Sequence, residues 1–497
     1  MRVGYDNKLS DLEKPLLTQS TAIQTLPTQD DQSEFGIADK KSDLKLHLVL
    51  LQIAKLSVCP IISMIFHPAY QAANTIIIGK HQNAVQLQAT LGLTTLFMNT
   101  LIVTIQIGFN GSLSTLISQA FGQKDYRLCG LYLNRQLMLN GLIFLPMVII
   151  MMFSKELYLL LGQDADMASE AATFLQITLP GFFCFGQYLC YQRFLAAQRE
   201  VRFAMYINLV CFFLHIPLCY YLAISSDLQL VGVAIATSLH FGFRLIMMLI
   251  CIRFSRFYKS IISLRDPDNF WNFKVQLKMS FQNSMMFISG QWALESFTLM
   301  STFMSLQVIA AQIVCRNIIL IVYMVPVGLA QASSVFVGNM IGQKKLKDAQ
   351  IYAKMGALCS FIWGLFFVVI MTIMKTYVVQ LFSSSLEINE LVYQVFPILQ
   401  VYVLIDSLQG MGIGLITGIG RQAKASIFTM TGFWGIGVPT AIILSFSFKL
   451  NLIGLWIGAL VSISFCCISY YILIINTDWK QRIKEAIQRR RSEKKLP

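Results

Sequence analysis

The chain has 497 residues, 56% of them hydrophobic and only 13% charged, with a mean hydropathy of +0.61. A soluble domain carries about 25% charged residues, so this composition excludes a soluble globular protein and predicts a multi-pass membrane protein. The formal net charge of +14 does not mark a nucleic-acid-binding protein, because its basic residues gather in 253–278, 344–354 and 480–495, beside apolar runs. That pattern is the positive-inside bias, which fixes topology, with attraction to anionic headgroups as a secondary role.

Residues 1–47 are polar and acidic with no apolar period, and read as a disordered tail without a secretory signal peptide. Beyond them, continuous apolar runs such as 137–153 and 452–475 exclude a β-barrel, whose strands would alternate over short segments. The expected fold is all-α: twelve transmembrane helices starting near 50, 85, 130, 168, 203, 230, 275, 308, 352, 392, 425 and 453. The halves repeat. Gly108, Ser114, Gly122, Gln123, Lys124 and Tyr132 match Gly328, Ser334, Gly342, Gln343, Lys344 and Tyr352, each pair 220 apart; Pro217, Leu230 and Gly232 match Pro439, Leu452 and Gly454 at 222. Six spans per half give both copies the same orientation, hence two six-helix lobes related by a parallel pseudo-two-fold axis along the membrane normal. The expected organisation is a cytoplasmic tail (1–47), an N-lobe (48–252), a cytoplasmic linker (253–274), a C-lobe (275–476) and a basic cytoplasmic tail (477–497). Trp479 would anchor the end of the last span at the interface.

The eleven cysteines lie mostly in apolar runs without a Cys-x-x-Cys pair and read as free buried thiols; His67 and His215 read as packed helix residues. No metal cluster, phosphate loop or catalytic constellation is present in the sequence, so neither an enzyme nor an ATP-driven pump is expected.

Of the 25 acids, only Glu295 and Asp406 fall inside candidate spans. A carboxylate at membrane depth is costly unless neutral, paired or wetted, so both are functional candidates. Asp406 could instead be structural, held by backbone or by Ser407. Arg316 lies about ten residues into the eighth helix, roughly 15 Å deep at 1.5 Å per residue. The seventh helix runs the other way, which brings Glu295 level with Arg316; a pair would lower the cost of both charges. The alternative is that Arg316 faces the cavity and binds an anionic substrate. Arg193 and Arg244, nearer the cytoplasmic ends, are expected to snorkel. Pro60 and Pro68 each remove a backbone hydrogen bond from the first helix, as helix-bending positions or fixed kinks.

Several segments resemble the multidrug and toxic compound extrusion (MATE) transporters of the eukaryotic type. They are Ser118-Gln-Ala-Phe-Gly122, Arg193-Phe-Leu-Ala-Ala-Gln198, His215-Ile-Pro-Leu218, Met324-Val-Pro-Val-Gly328, Asp406-Ser-Leu-Gln-Gly410, Gly418-Ile-Gly-Arg-Gln422 and Thr477-Asp-Trp479, in order through residues 50–480. The resemblance implies two lobes around a central cavity and export of organic cations or other amphipathic molecules against inward protons or sodium. No cofactor beyond that coupling ion is implied. It further implies coupling at Glu295 and Asp406 and a cavity bordered by Gln291, Trp292, Arg316, Asn74, Gln71 and Gln409. One departure stands out: Trp292 and Glu295 fit the second half of the family's acid pair on the seventh helix, but Gly290 stands where the first acid belongs. Asn74 likewise falls where bacterial relatives carry Asp. A lipid-headgroup or anionic-metabolite transporter of the same architecture is the alternative. The protein is expected as a monomer in the plasma or vacuolar membrane, with both termini cytoplasmic.

Overall fold

The computed structural model describes residues 44–81, 83–383 and 385–494, so most of the expected N-terminal tail lies outside the described residues. Every regular element among them is helical. In chain order the long helices are α1 (Leu46–Ile78), α2 (Ala84–Gly122), α3 (Tyr126–Met152), α4 (Ala165–Ala197), α5 (Arg202–Ser225) and α6 (Gln229–Arg253). There follow α7 (Phe273–Ser301), α8 (Leu306–Gly342), α9 (Leu346–Ile373), α10 (Leu386–Ile419), α11 (Gln422–Ser447) and α12 (Asn451–Ile475). Ten of these are long and apolar enough to cross a membrane; α4 and α7 are not among the ten. A final helix, α13 (Trp479–Lys494), occupies most of the stretch read from sequence as a basic tail.

The apolar surface explains why the fold needs a bilayer. Only 22% of the apolar window of α9 is buried inside the protein, and no window exceeds 50%. Leu142, Leu145, Ile149, Phe361 and Ile362 all point outward. In water such a surface would drive aggregation; in lipid it is the solvated face.

Inside, each half has its own core. One cluster packs α1–α6 residues such as Phe174, Phe182 and Phe241, and another packs α7–α12 residues such as Phe396, Tyr402 and Trp456. The halves meet where α2 packs on α7 and α1 packs on α8. Gly108 and Gly328 make these crossings close: a Cβ at Gly108 would stand 2.9 Å from the Ser284 Cα, and one at Gly328 2.3 Å from the Ile61 Cγ1. Polar bonds fasten the same seams. Asn283 Nδ2 donates to the Gly108 carbonyl at 2.6 Å, and Gln276 Nε2 donates to Gln136 Oε1 at 2.9 Å and the Tyr132 carbonyl at 2.8 Å.

Left-handed backbone conformations recur at the spacing of the sequence matches. Lys124 and Lys344 have φ of 58° and 63°; Asp227 and Lys449 have 51° and 56°; Gln229 and Asn451 have 47° and 46°. A non-glycine residue there is costly enough to be uncommon. Its recurrence with different side chains at Asp227 and Lys449, and at Gln229 and Asn451, shows that the turn geometry is shared there without residue identity.

Candidate functional site

Two residues singled out from sequence, Glu295 and Arg316, meet between α7 and α8. Arg316 Nη2 donates to Glu295 Oε1, while Arg316 Nη1 donates to the Leu294 carbonyl at 3.0 Å and to Thr298 Oγ1 at 3.1 Å. Leu294 and Thr298 are one turn apart, so the guanidinium lies across a face of α7. Both partners of the ion pair are part-exposed, at 31% for Arg316 and 26% for Glu295. Water access lowers the desolvation cost that a fully buried pair would carry.

The Arg316 side chain lines a cavity inside the second half, which with its mouth encloses about 720 Å3. Gln291, Asp406 and Gln409 share it, and Phe287, Tyr323, Tyr402 and Phe433 supply aromatic walls. Glu295 does not line it and reaches the cavity only through Arg316. Asp406 is buried at 8% exposure, and among the described residues no hydrogen bond or ion pair reaches its carboxyl group. Ser407, considered from sequence as its holder, donates instead to the Val403 carbonyl at 2.8 Å. Gly290 also borders the cavity, and a Cβ there would make only ordinary contacts, with Phe433 at 3.6 Å and Thr429 at 4.0 Å. The missing first acid therefore leaves space, not a clash.

Other expected cavity residues lie elsewhere. Asn74 is buried in the first half, where Oδ1 takes a 2.7 Å contact from His215 Nε2 and Nδ2 donates to Thr237 Oγ1 at 3.3 Å. Its polar capacity is used within that core, so it does not join Gln291. Gln71 Nε2 donates to Asn99 Oδ1 at 3.1 Å. Trp292 faces the other half: Nε1 donates at 3.0 Å to the Thr100 carbonyl, in a π-helical turn of α2 at Asn99–Val103. Pro60 and Pro68 lie within α1, which continues through both.

Two arginines depart from expectation. Arg244 does not snorkel; it is buried, with its guanidinium 4.3 Å from the Tyr188 ring centroid and near the Phe185 and Phe241 rings. Cation–π contact holds it where no carboxylate is seen. Arg193 lines a second cavity between the halves, which shares Met286, Phe287, Tyr323 and Ile413 with the first. No acid lines this second cavity, and among the described residues Arg193 has no ion pair or hydrogen bond. Sequence reasoning misplaced it because distance from a helix end does not say which face a side chain occupies. His67 and His215 are packed helix residues, grouped with Tyr70 and His240 at ring separations of 5.0–5.8 Å.

The MatE family model matches residues 60–221 and again 283–443, a segment within each half. The chain belongs to the MatE family. It is thus a membrane transporter of the multidrug and toxin extrusion class, not a member of an enzyme family. MatE relatives include mouse multidrug and toxin extrusion protein 2, 27% identical over 82% of this chain and 71% of that protein. Protein DETOXIFICATION 16 of Arabidopsis thaliana is 24% identical over 98% of this chain and 96% of its own length. Among solved structures, the eukaryotic MATE transporter AtDTX14 shares the fold with a TM-score of 0.82 at 23% identity, covering 89% of this chain and 98% of that one. A MOP superfamily transporter from Pyrococcus furiosus has a TM-score of 0.76 at 19% identity, covering 90% and 99%.

Proposed function

We propose that this MatE transporter is a secondary antiporter that exports amphipathic small molecules, organic cations among them, in exchange for inward protons. Twelve spanning helices form two six-helix lobes that rock about a parallel pseudo-two-fold axis, with both termini in the cytoplasm. The double family match, the matched helix order and the recurring left-handed turns support that arrangement. The observation that carries the coupling assignment is Asp406: a buried carboxyl group without a protein partner among the described residues, in an aromatic-walled cavity. Such a group must take its partner from outside the protein, as a proton, a sodium ion or a substrate cation, and these compete. The Glu295–Arg316 pair beside it is the second coupling element, because protonating Glu295 would free a guanidinium that lines the same cavity.

A second reading, export of an organic anion, has one observation in its favour: Arg193 projects into the connected cavity with no counter-charge there. Naphthyl-trimethylammonium and naphthalenesulfonate share an aromatic body and carry opposite fixed charges. Their uptake into proteoliposomes separates the two readings, and imposed pH or sodium gradients separate the coupling ions.

For one-proton exchange, a gradient of about two pH units supports an accumulation of about a hundredfold. Asp406→Asn and Glu295→Gln are expected to reach the membrane normally and to lower accumulation toward unity. Asn at 406 keeps the side-chain shape and forfeits no observed bond. Wild-type accumulation by both variants, normalised to protein, would refute the coupling assignment. Accumulation of neither compound under either gradient by the unmutated protein would refute antiport itself.

A further inference from the structure

At the cytoplasmic end of the bundle the two copies of the Gly-Gln-Lys turn face each other. Gly122 ends α2 and Gly342 ends α8, in such close contact that a Cβ at Gly122 would lie 3.0 Å from the Gly342 Cα. Beside this contact opens a basin of about 1230 Å3, bordered by Lys124 from the first half, Lys344 and Lys345 from the second, and Arg490 and Arg491 from α13. No acid lines it. Arg490 Nε donates to Asp125 Oδ2 at 2.8 Å, and Lys345 lies 3.9 Å from Asp348. The Lys124 and Lys344 ammonium groups, by contrast, have no acceptor or carboxylate among the described residues. Both lysines occupy left-handed turns whose backbone N–H groups already bond within the preceding helix, to Phe121 and Ile341. The backbone is therefore satisfied, and the side chains alone define the chemistry on offer.

Like charges held by three separate chain segments around one concavity repel, and the repulsion is relieved by a ligand of opposite sign. A single small anion would satisfy one or two of these groups; a molecule bearing several phosphates would match them all. Arg pairs with phosphate oxygens through its fork and Lys as a point charge. We propose that this basin is a binding site for a clustered-phosphate ligand, either a soluble polyphosphate or a phosphoinositide headgroup. Because its cations come from both halves and from α13, the bound ligand ties the two helix ends together. It favours the arrangement in which Gly122 touches Gly342, by its differential affinity for that state. The site is separate from the cavity of Asp406 and does not depend on which molecule is exported.

The test uses the full-length protein in phosphatidylcholine nanodiscs, with inositol hexakisphosphate as the probe and equilibrium binding as the readout. Each of Lys124→Gln and Lys344→Gln is expected to weaken binding about fivefold, the usual worth of one cation near clustered anionic charge. The double variant should lose about 25-fold on the same basis. The pair Lys259→Gln and Lys278→Gln removes two cations outside the basin and should leave affinity nearly unchanged. Binding that survives the double variant, or that falls as far in the control pair, overturns the proposal, as does absence of probe binding to the unmutated protein. Doping the nanodiscs with phosphatidylinositol 4,5-bisphosphate names the source. Displacement of the probe assigns the site to a lipid headgroup, and unchanged probe binding assigns it to a soluble polyphosphate.

Discussion

The helix α13 docks through a buried ion pair, and removing one partner should release it. Arg135, on α3, is fully buried, and its Nη1 and Nη2 donate to Glu493 Oε1 and Oε2, each at 2.9 Å. Asn272 Nδ2 adds a bond to Glu493 Oε1 at 3.2 Å. Glu493→Ala would leave the guanidinium with one acceptor, the Asp268 carbonyl at 2.8 Å, while Nε has none already. Stranding a buried cation in this way costs about 3–5 kcal/mol. Other polar contacts of α13 include Arg489 to Gln119 at 2.6 Å, Arg490 to Asp125 at 2.8 Å, and Gln123 to the Ala486 carbonyl at 3.1 Å. At about 1 kcal/mol net apiece these three contribute roughly as much as the loss, and Ile483, Ala486 and Ile487 are buried as well, so the open population of α13 should rise while the bundle itself stays folded. Trypsin cleavage after Arg489, Arg490 or Arg491 reads that release. Where cleavage follows the open population, its rate should rise by about two to four powers of ten. Replacing both charges, as Arg135→Met with Glu493→Met, should recover most of the docking because no orphan charge remains. A rise of less than about fivefold in Glu493→Ala, the size expected of an exposed ion pair, would refute the reasoning.

Two further outcomes follow from the seams between the halves. Gly122→Ala places a Cβ 2.3 Å from the Asn339 carbonyl oxygen, a backbone atom that cannot swing aside. A cost of about 1–3 kcal/mol should push the two helix ends apart, read as a longer spin-label distance between the α2–α3 and α8–α9 turns; an unchanged distance would count against closure there. Trp292→Phe deletes the 3.0 Å bond to the Thr100 carbonyl and should cost about 1 kcal/mol, lowering the midpoint of thermal unfolding by about 1–2 °C. A larger effect on transport than on unfolding would assign Trp292 to the cycle and not to packing.

The Glu295–Arg316 contact was legible because both ends of the argument are one-dimensional. A helix rises by a fixed amount per residue, and two consecutive helices joined by a short turn must run antiparallel. Depth could be counted, and charges at equal depth in a low-dielectric medium seek each other. Asp406 was legible on the same ground, as an acid in an apolar run. Azimuth around the helix was not. Arg193 was misjudged because Gln192 and Phe194 do not reveal which face of α4 meets α2 and α8. Arg244 was misjudged because its partners are uncharged rings, Phe185 and Tyr188 on α4, distant in sequence, and Phe241 one turn away on α6. Asn74, Gln71 and Trp292 were grouped with Gln291 by resemblance, and each is claimed by a neighbour that only packing supplies: His215, Asn99 and Thr100.

The sequence by itself determined the medium, the all-helical class, the places where helices begin and the two acids at membrane depth. These depend on hydropathy, on backbone satisfaction in lipid and on rise per residue, all of which are local. Only the tertiary structure decided that Asp406 stands without a partner, that Glu295 reaches the cavity through Arg316 and that the basic tail forms a helix against both halves. Those facts depend on the rotation of each helix about its axis and on contacts between residues hundreds of positions apart. Such contacts are set by the shape of the packed bundle, which no local pattern encodes.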